Sequence, residues 1–266
     1  MNFCVCTFVK NENKYLNEWI EHYKNLGFSS INIFDNNDID GESPKDVVND
    51  EIVVIDERFR GMNDMLHQQE SFAYFYNNNK TKYDWILFCD IDEFLTLEHY
   101  NNIEDFVKSN SKFNDYDAIA ICWKIYTDNG LVHYDNRPVK ERFTTPCENC
   151  YQNVQLKSLI KGNIDKDLIF NCHGAYHIRY CNVLGEEAKD MKFPLIGKEP
   201  ILKECWMNHY RFKTIEEFLM SKYKNFNQEH IKSKWIDFKH FFEINEFTKE
   251  KLDVIKSYGF EYSHES

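Results

Sequence analysis

The chain has 266 residues, enough for one large domain or two small ones with a substantial buried core. Hydrophobic residues make up 42% and charged residues 29%, which excludes wholesale disorder, and no G-x-G-x-x-G or G-x-x-x-x-G-K-[ST] phosphate loop occurs. A formal net charge of −12 repels phosphate backbones and sets nucleic acid aside as a partner.

In chain order, Phe3 to Val9 is a short apolar run that predicts a strand. After Asn13, the expected N-cap, Leu16, Trp19, Ile20, Tyr23 and Leu26 form the stripe of an amphipathic helix, with Gly27 at its C′ position. Ile31 to Phe34 predicts a second strand, followed by the polar turn Asp35-Asn36-Asn37-Asp38-Ile39-Asp40-Gly41, and Ile52 to Ile55 a third. Met62, Met65, Leu66, Gln69, Phe72, Ala73 and Tyr76 mark a long helix. Trp85-Ile86-Leu87-Phe88-Cys89 reads as a strand buried on both faces, and Ala118 to Trp123 as another. Residues 125–200 look like loops and short strands. Helices return at Thr214, with Ile215, Phe218, Leu219 and Tyr223, and again around Trp235 to Phe242. Strands separated by helices predict an α/β fold with a mostly parallel sheet flanked by helices, an irregular region after it and C-terminal helices. No repeat or Pro/Gly/Ser linker divides the chain.

No apolar run approaches the roughly 18 residues of a membrane span. Met1-Asn2-Phe3-Cys4-Val5-Cys6 has no basic n-region, which predicts no cleavable signal. Nine cysteines, an odd count, then read as reduced thiols in a cytoplasmic protein. Cys147-Glu148-Asn149-Cys150, with Cys172, His173 and Cys181 downstream, matches zinc-site spacing only in part and is read as reduced loop cysteines. Lys232, Lys234, Trp235, Phe238, Lys239, Phe241 and Phe242 raise the expectation of peripheral contact with the inner membrane face. Asp237 and Glu243 dilute that basic face and favour a helix packed on the core.

The segment Trp85 to Phe94 carries the chemistry. Its buried strand ends in Asp90, Asp92 and Glu93, and ligands of open α/β sheets bind beyond the carboxyl ends of strands. Asp90 and Asp92, two apart, point to one side of an extended backbone. Two carboxylates so close repel unless a hard divalent cation such as Mg²⁺ or Mn²⁺ lies between them. An acidic first turn of a following helix is the plainer alternative.

Four blocks in order add to this. They are Lys10-Asn11-Glu12 with Leu16, Glu18, Trp19, His22, Gly27 and Phe34-Asp35-Asn36; Gln68-Gln69 ahead of Asp84-Trp85 and Cys89-Asp90-Ile91-Asp92-Glu93-Phe94-Leu95; Glu141-Arg142-Phe143 with Lys157-Ser158 and His173; and Asn208-His209-Tyr210-Arg211-Phe212-Lys213-Thr214. Together they resemble the GT-A glycosyltransferases of the family 2-like and family 92 group, whose D-x-D-E-F and N-H-Y-x-x-K-S segments they match. The chain departs at Lys124 to Gly130, where the family has F-G-x-x-G, and at Thr214, where it has serine.

That resemblance implies a single GT-A, Rossmann-like domain over 1–266, with 1–124 binding a nucleotide sugar, 125–213 completing the acceptor and metal side, and 214–266 forming C-terminal helices. It implies sugar transfer from a nucleotide diphosphate sugar, a UDP-sugar by preference, to a hydroxyl of a glycan or lipid-linked glycan, with inversion. Asp90, Asp92 and His209 would hold Mn²⁺ or Mg²⁺, and Lys157 and Lys213 would face the diphosphate. Thr7, Lys10, Glu12, Asp35 and Asn36 would line the nucleotide pocket, Gln69 would contact the donor, and Asp128 or Glu93 would act as the base. Thr214 and Glu217 have capping-box spacing at the start of the next helix. The rival functions are a metal-dependent nucleotidyl or phosphoryl transferase and a degenerate, non-catalytic glycan-binding relative.

Overall fold

Phe3–Val9 forms β1 and Asn13–Asn25 forms α1, whose stripe of Tyr15, Leu16, Trp19, Ile20 and Tyr23 is buried. The helix begins one residue earlier than its sequence suggests: Glu12 occupies the cap, and Asn13 instead donates its side-chain amide to Ser43 O. It ends where Gly27 adopts φ +88°, a conformation that glycine reaches without strain. The computed structural model describes residues 1–62, 67–188, 199–225 and 235–260. Met65 and Leu66 of the second predicted helix, and Lys232 and Lys234 of the predicted basic face, lie outside the described residues, as do the side chains of Tyr223 and Trp235.

The remaining elements are β2 (Ser30–Asp35), β3 (Val53–Asp56), α2 (His67–Asn79), β4 (Trp85–Phe88), β5 (Glu93–Leu97), α3 (Ile103–Ser109), β6 (Ala118–Ile125), α4 (Val139–Arg142), β7 (Leu156–Lys161), β8 (Tyr180–Asn182), β9 (Cys205–His209), α5 (Ile215–Asn225), α6 (Trp235–Ile244) and α7 (Lys249–Ser257). The strands lie in the order β3-β2-β1-β4-β7-β6-β9-β5, with β8 also on β6. The ladders from β3 to β4 are parallel, as is β6–β8, and β4–β7, β6–β7 and β5–β9 are antiparallel. The fold is therefore mixed α/β, with a mostly parallel sheet flanked by helices, as the alternation of signals predicts. β4 is buried throughout, between β1 and β7, which accounts for its unbroken apolar sequence. Phe72, Phe75 and Tyr76 of α2 pack with Phe34, Phe88 and Phe170 on one side of this centre.

Two compact units emerge, Met1–Lys124 with Tyr151–His209, and Ile125–Cys150 with Tyr210–Ser266. The stretch 125–213 contributes to both units. Its middle returns to the sheet as β7, β8 and β9, while residues 125–150 join the C-terminal helices. The second unit has its own core of Val132, Phe212, Ile215, Phe218, Leu219, Phe238, Phe241, Val254 and Ile255. Phe238 and Phe241 thus face inward, so these aromatics form no membrane-facing stripe. Among the described residues no helix is long and apolar enough to cross a membrane.

The cysteine expectation needs correction. Cys147 and Cys150 are joined in a disulfide, whereas Cys4, Cys6, Cys89, Cys122, Cys172, Cys181 and Cys205 are free. The C-x-x-C spacing brings the two α-carbons to 5.5 Å, within bridging range. Disulfides persist in oxidising compartments, so the cytoplasmic expectation loses the support it drew from nine reduced thiols.

Candidate active site

The acidic segment after β4 is a turn. Glu93 N–H donates to Asp90 O at 3.1 Å, and Asp90 N–H donates to Glu93 Oε2 at 2.7 Å. Helix α1 holds this turn from one side. Trp19 Nε1 donates to the carbonyls of Glu93 (3.1 Å) and Asp90 (3.2 Å), Tyr23 Oη donates to Glu93 O (3.0 Å), and His22 Nε2 lies 2.9 Å from Leu95 O. Trp19 and His22 of the first sequence block, together with Tyr23 of the helix stripe, therefore secure the turn's backbone.

Because the backbone turns, Asp90 and Asp92 part company. Asp90 Oδ1 accepts from Gln68 Nε2 at 2.5 Å, and Oδ2 accepts from Lys157 Nζ at 2.7 Å. Asp92 Oδ1 lies 3.5 Å from His209 Nε2. The expectation that both carboxylates point the same way assumed an extended backbone, and the Asp90–Glu93 turn overturns it.

Lys157 sits beneath Asp90, its side chain 1% exposed, donating also to Cys172 O at 2.8 Å and lying 3.4 Å from Glu93 Oε2. Burial by itself would lower its pKa, but the Asp90 and Glu93 carboxyls outweigh burial and hold it above the ordinary lysine value. Burial pushes the fully enclosed Glu93 carboxyl well above the usual range, against the pull of Lys157. Lys157 is therefore charged, balanced chiefly by Asp90. His173, whose Nδ1 is 2.9 Å from Leu156 O, is pushed down to about 4 by burial and then by the Lys157 charge, so it is neutral near pH 7.

Asp92 and His209 offer one oxygen and one nitrogen donor to a divalent cation and fit an open, two-residue site. Asp90 does not join them in this arrangement, its oxygens being engaged by Gln68 and Lys157. Among the described residues no group of three or more His, Cys, Asp or Glu side chains is disposed to hold a metal ion.

The residues expected to line a nucleotide pocket cluster at the carboxyl ends of β1 and β2. Thr7 follows Cys6, the partner of Phe88, and its buried hydroxyl has no hydrogen-bond partner among the described residues. Lys10 pairs with Asp38 at 3.1 Å, and Glu12 caps α1. Asp35 is wholly buried, accepting from Arg60 Nη1 at 2.6 Å and from Asn37, while Asn36 donates to the carbonyls of Phe59 and Met62. Both side chains therefore fasten the 36–62 loop. Gln69 is half-buried, and its neighbour Gln68 makes the contact with Asp90.

Asp128 and Lys213 belong to the second unit. Asp128 Oδ2 lies 2.5 Å from the fully buried Lys251 Nζ, and its backbone N–H donates to Asn245 Oδ1. Burial raises the Asp128 pKa, with Lys251 opposing. Lys213 adopts φ +55° just before Thr214, whose hydroxyl accepts from Glu217 N–H while Glu217 accepts from Thr214 N–H, the capping box that the spacing predicts. Glu217 also takes a bidentate bond from Arg142, both side chains 1% exposed.

Comparison with known proteins adds relatives of one kind. A glycosyltransferase family 92 protein of Ricinus communis is 26% identical over 181 residues, covering 66% of this chain and 31% of its own length. One from Oryza sativa subsp. japonica is 22% identical over 222 residues, covering 82% of this chain and 34% of its own. This chain thus spans about a third of the length of the curated relatives it matches. No family model matches. Among solved structures, S. aureus TarS 1-349 aligns over 97% of this chain and 72% of its own, with 12% identity and a TM-score of 0.40.

Sequence reasoning quoted Gln68 in its second block without giving it a role, and gave none to Arg60 or Trp123. Arg60 has no periodic signal to betray it, and Gln68 is the member of the glutamine pair that reaches Asp90.

Proposed function

We propose that the chain is a GT-A-type glycosyltransferase that moves a sugar from a nucleotide diphosphate sugar, a UDP-sugar by preference, to a hydroxyl of a glycan or lipid-linked glycan, with inversion. The observation that carries this is the convergence of Asp92 and His209 at the carboxyl end of β4, beside an Asp90 already balanced by a buried lysine. The family 92 relatives, aligned over 66% and 82% of the chain, support glycosyl transfer.

A bound Mn²⁺ or Mg²⁺ would offset the negative charge gained by the leaving diphosphate. Asp92 and His209 are the residues proposed to hold it. Asp90, fixed by Gln68 and Lys157 with its side chain one-third exposed, would orient the donor ribose. Lys157 keeps positive charge under the cluster, and Lys213 is proposed to add charge toward the diphosphate. Thr7, Lys10 and Glu12 border the nucleoside, and Asp35 and Asn36 hold that wall in place. Glu93 and Asp128, expected as bases, are both buried against a lysine, Lys157 and Lys251, which suits positioning better than proton abstraction.

The test is donor hydrolysis with UDP-sugars, with and without Mn²⁺. Turnover should vanish in EDTA. Asp92→Ala should lower it by about 100-fold or more, the scale of losing one transition-state charge stabiliser, while the melting temperature holds. Near-normal turnover of Asp92→Ala in Mn²⁺ refutes the proposal.

A further inference from the structure

Beside the acidic turn lies a ring cluster that none of the roles above explains. β6 pairs with β7 so that Ile121 lies opposite Lys157. Residues two apart on a strand share a face, so Trp123 projects on the Lys157 side of the sheet. Its indole packs against two imidazoles, with ring centroids 4.3 Å from His209 and 5.3 Å from His173. Trp123 is 5% exposed and His209 4%. Yet Trp123 Nε1 and His209 Nδ1 have no hydrogen-bond partner among the described residues.

An indole N–H can only donate, and buried tryptophans usually find an acceptor. The carboxylates of the turn make other contacts: Asp90 with Lys157 and Gln68, Glu93 Oε2 with Asp90 N–H, and Asp92 beside the far nitrogen of His209, while the buried Glu93 Oε1 also lacks a partner among the described residues. His173 turns its Nδ1 to Leu156 O and stays neutral. Among the described residues the buried donor is thus surrounded by aromatic rings, with no acceptor within hydrogen-bonding distance. A ligand oxygen would satisfy it, and an anionic one best, because hydrogen bonds to charged acceptors are the strong ones.

Resting on the transferase reading above, we infer that Trp123 is a donor-binding residue: its indole N–H hydrogen-bonds a diphosphate oxygen of the nucleotide sugar held at Asp92 and His209. The two imidazoles, packed edge-on and tilted against the indole, fix the ring, so the N–H is aimed before the ligand arrives. The diphosphate is favoured over the acceptor sugar because the indole touches His209, the residue whose other nitrogen faces Asp92.

The experiment is a titration of ¹⁵N-indole-labelled protein with UDP and, in parallel, GDP, each with diamagnetic Mg²⁺, followed by NMR of the five tryptophan Nε1–H signals and by thermal shift. Trp123→Phe, which keeps a ring but removes the donor, assigns the signal and is itself titrated; Trp123→Tyr serves if that variant does not fold. The Trp123 signal should move downfield, saturating with the thermal shift, and the variant should bind about 10-fold more weakly. If the nucleotide binds wild type while the Trp123 signal stays put, or if the variant binds within 2-fold of wild type, Trp123 only packs, and the transferase reading stands without it. If neither nucleotide binds wild type, the donor-site reading falls and takes this inference with it.

Discussion

Lys157→Met is the most informative single substitution, because it removes the buried cation and nearly nothing else of the side chain's volume. In the native protein Lys157 Nζ meets Asp90 at 2.7 Å, Glu93 at 3.4 Å and Cys172 O at 2.8 Å, in a site that leaves it 1% exposed. Deleting one partner of a buried pair costs about 3–5 kcal/mol, since the other charge remains uncompensated. For a chain of this size that is a fall in melting temperature on the order of 10 °C. The pH dependence has a definite sign. Burial already raises the Glu93 pKa with Lys157 in place, and Lys157 opposes that rise, so the variant's Glu93 should be higher still. A carboxyl whose folded pKa exceeds its unfolded value of about 4.3 makes the folded state bind more protons above that pH. The variant's stability should therefore fall as pH rises from about 5 toward 8, and its deficit against wild type should shrink on acidification. Denaturant melts in EDTA at pH 5, 6, 7 and 8 measure this. A loss below about 1 kcal/mol that is flat with pH would show that the lysine does not balance the acidic turn.

Two further outcomes follow from local geometry. Gly162→Ala places a Cβ 1.9 Å from Tyr83 O and 2.6 Å from Lys80 O, backbone atoms that cannot swing aside, so a loss of about 1–3 kcal/mol or more is expected in a denaturant melt; an unchanged midpoint would contradict the packing at the end of β7. Alkylation of protein prepared without reductant, under denaturing conditions, should label seven of nine cysteines, and Cys147→Ser should free Cys150 and cost about 2 kcal/mol, the loop-closure value for so short a ring; nine labelled thiols would refute the pairing.

What the sequence revealed followed local periodicity. The stripe of α1, the uninterrupted burial of β4 and the Thr214–Glu217 capping box are properties of neighbours within a few residues, and all three are present. What it concealed was non-local or depended on one residue of phase. Asp90 and Asp92 looked like a shared pair because an extended backbone was assumed; the bond from Asp90 N–H to Glu93 Oε2 bends the chain and sends them to Lys157 and His209. Adjacent residues on a helix differ by about 100° in direction, so the choice between Gln68 and Gln69 turns on the helix phase near its start. Asp35 finds Arg60 across 25 residues that include β3, and no spacing rule connects them. The absence of a partner for Trp123 Nε1 among the described residues is a fact about three dimensions alone.

The division of labour around the turn explains how so many acidic groups can be held close together. Its backbone is fixed largely by neutral donors: the Trp19 indole takes the carbonyls of Asp90 and Glu93, and the Tyr23 hydroxyl takes Glu93 O while accepting Leu95 N–H. These bonds do not depend on the charge state of any carboxylate. The one buried cation compensates Asp90, and burial drives Glu93 toward its neutral form, so Asp92 is left as the carboxylate facing His209. Electrostatic work at the turn is thereby concentrated on a single carboxylate whose position is set by hydrogen bonds elsewhere. Such preorganisation is what a site needs if charge is to be met on arrival, without rearrangement of the protein.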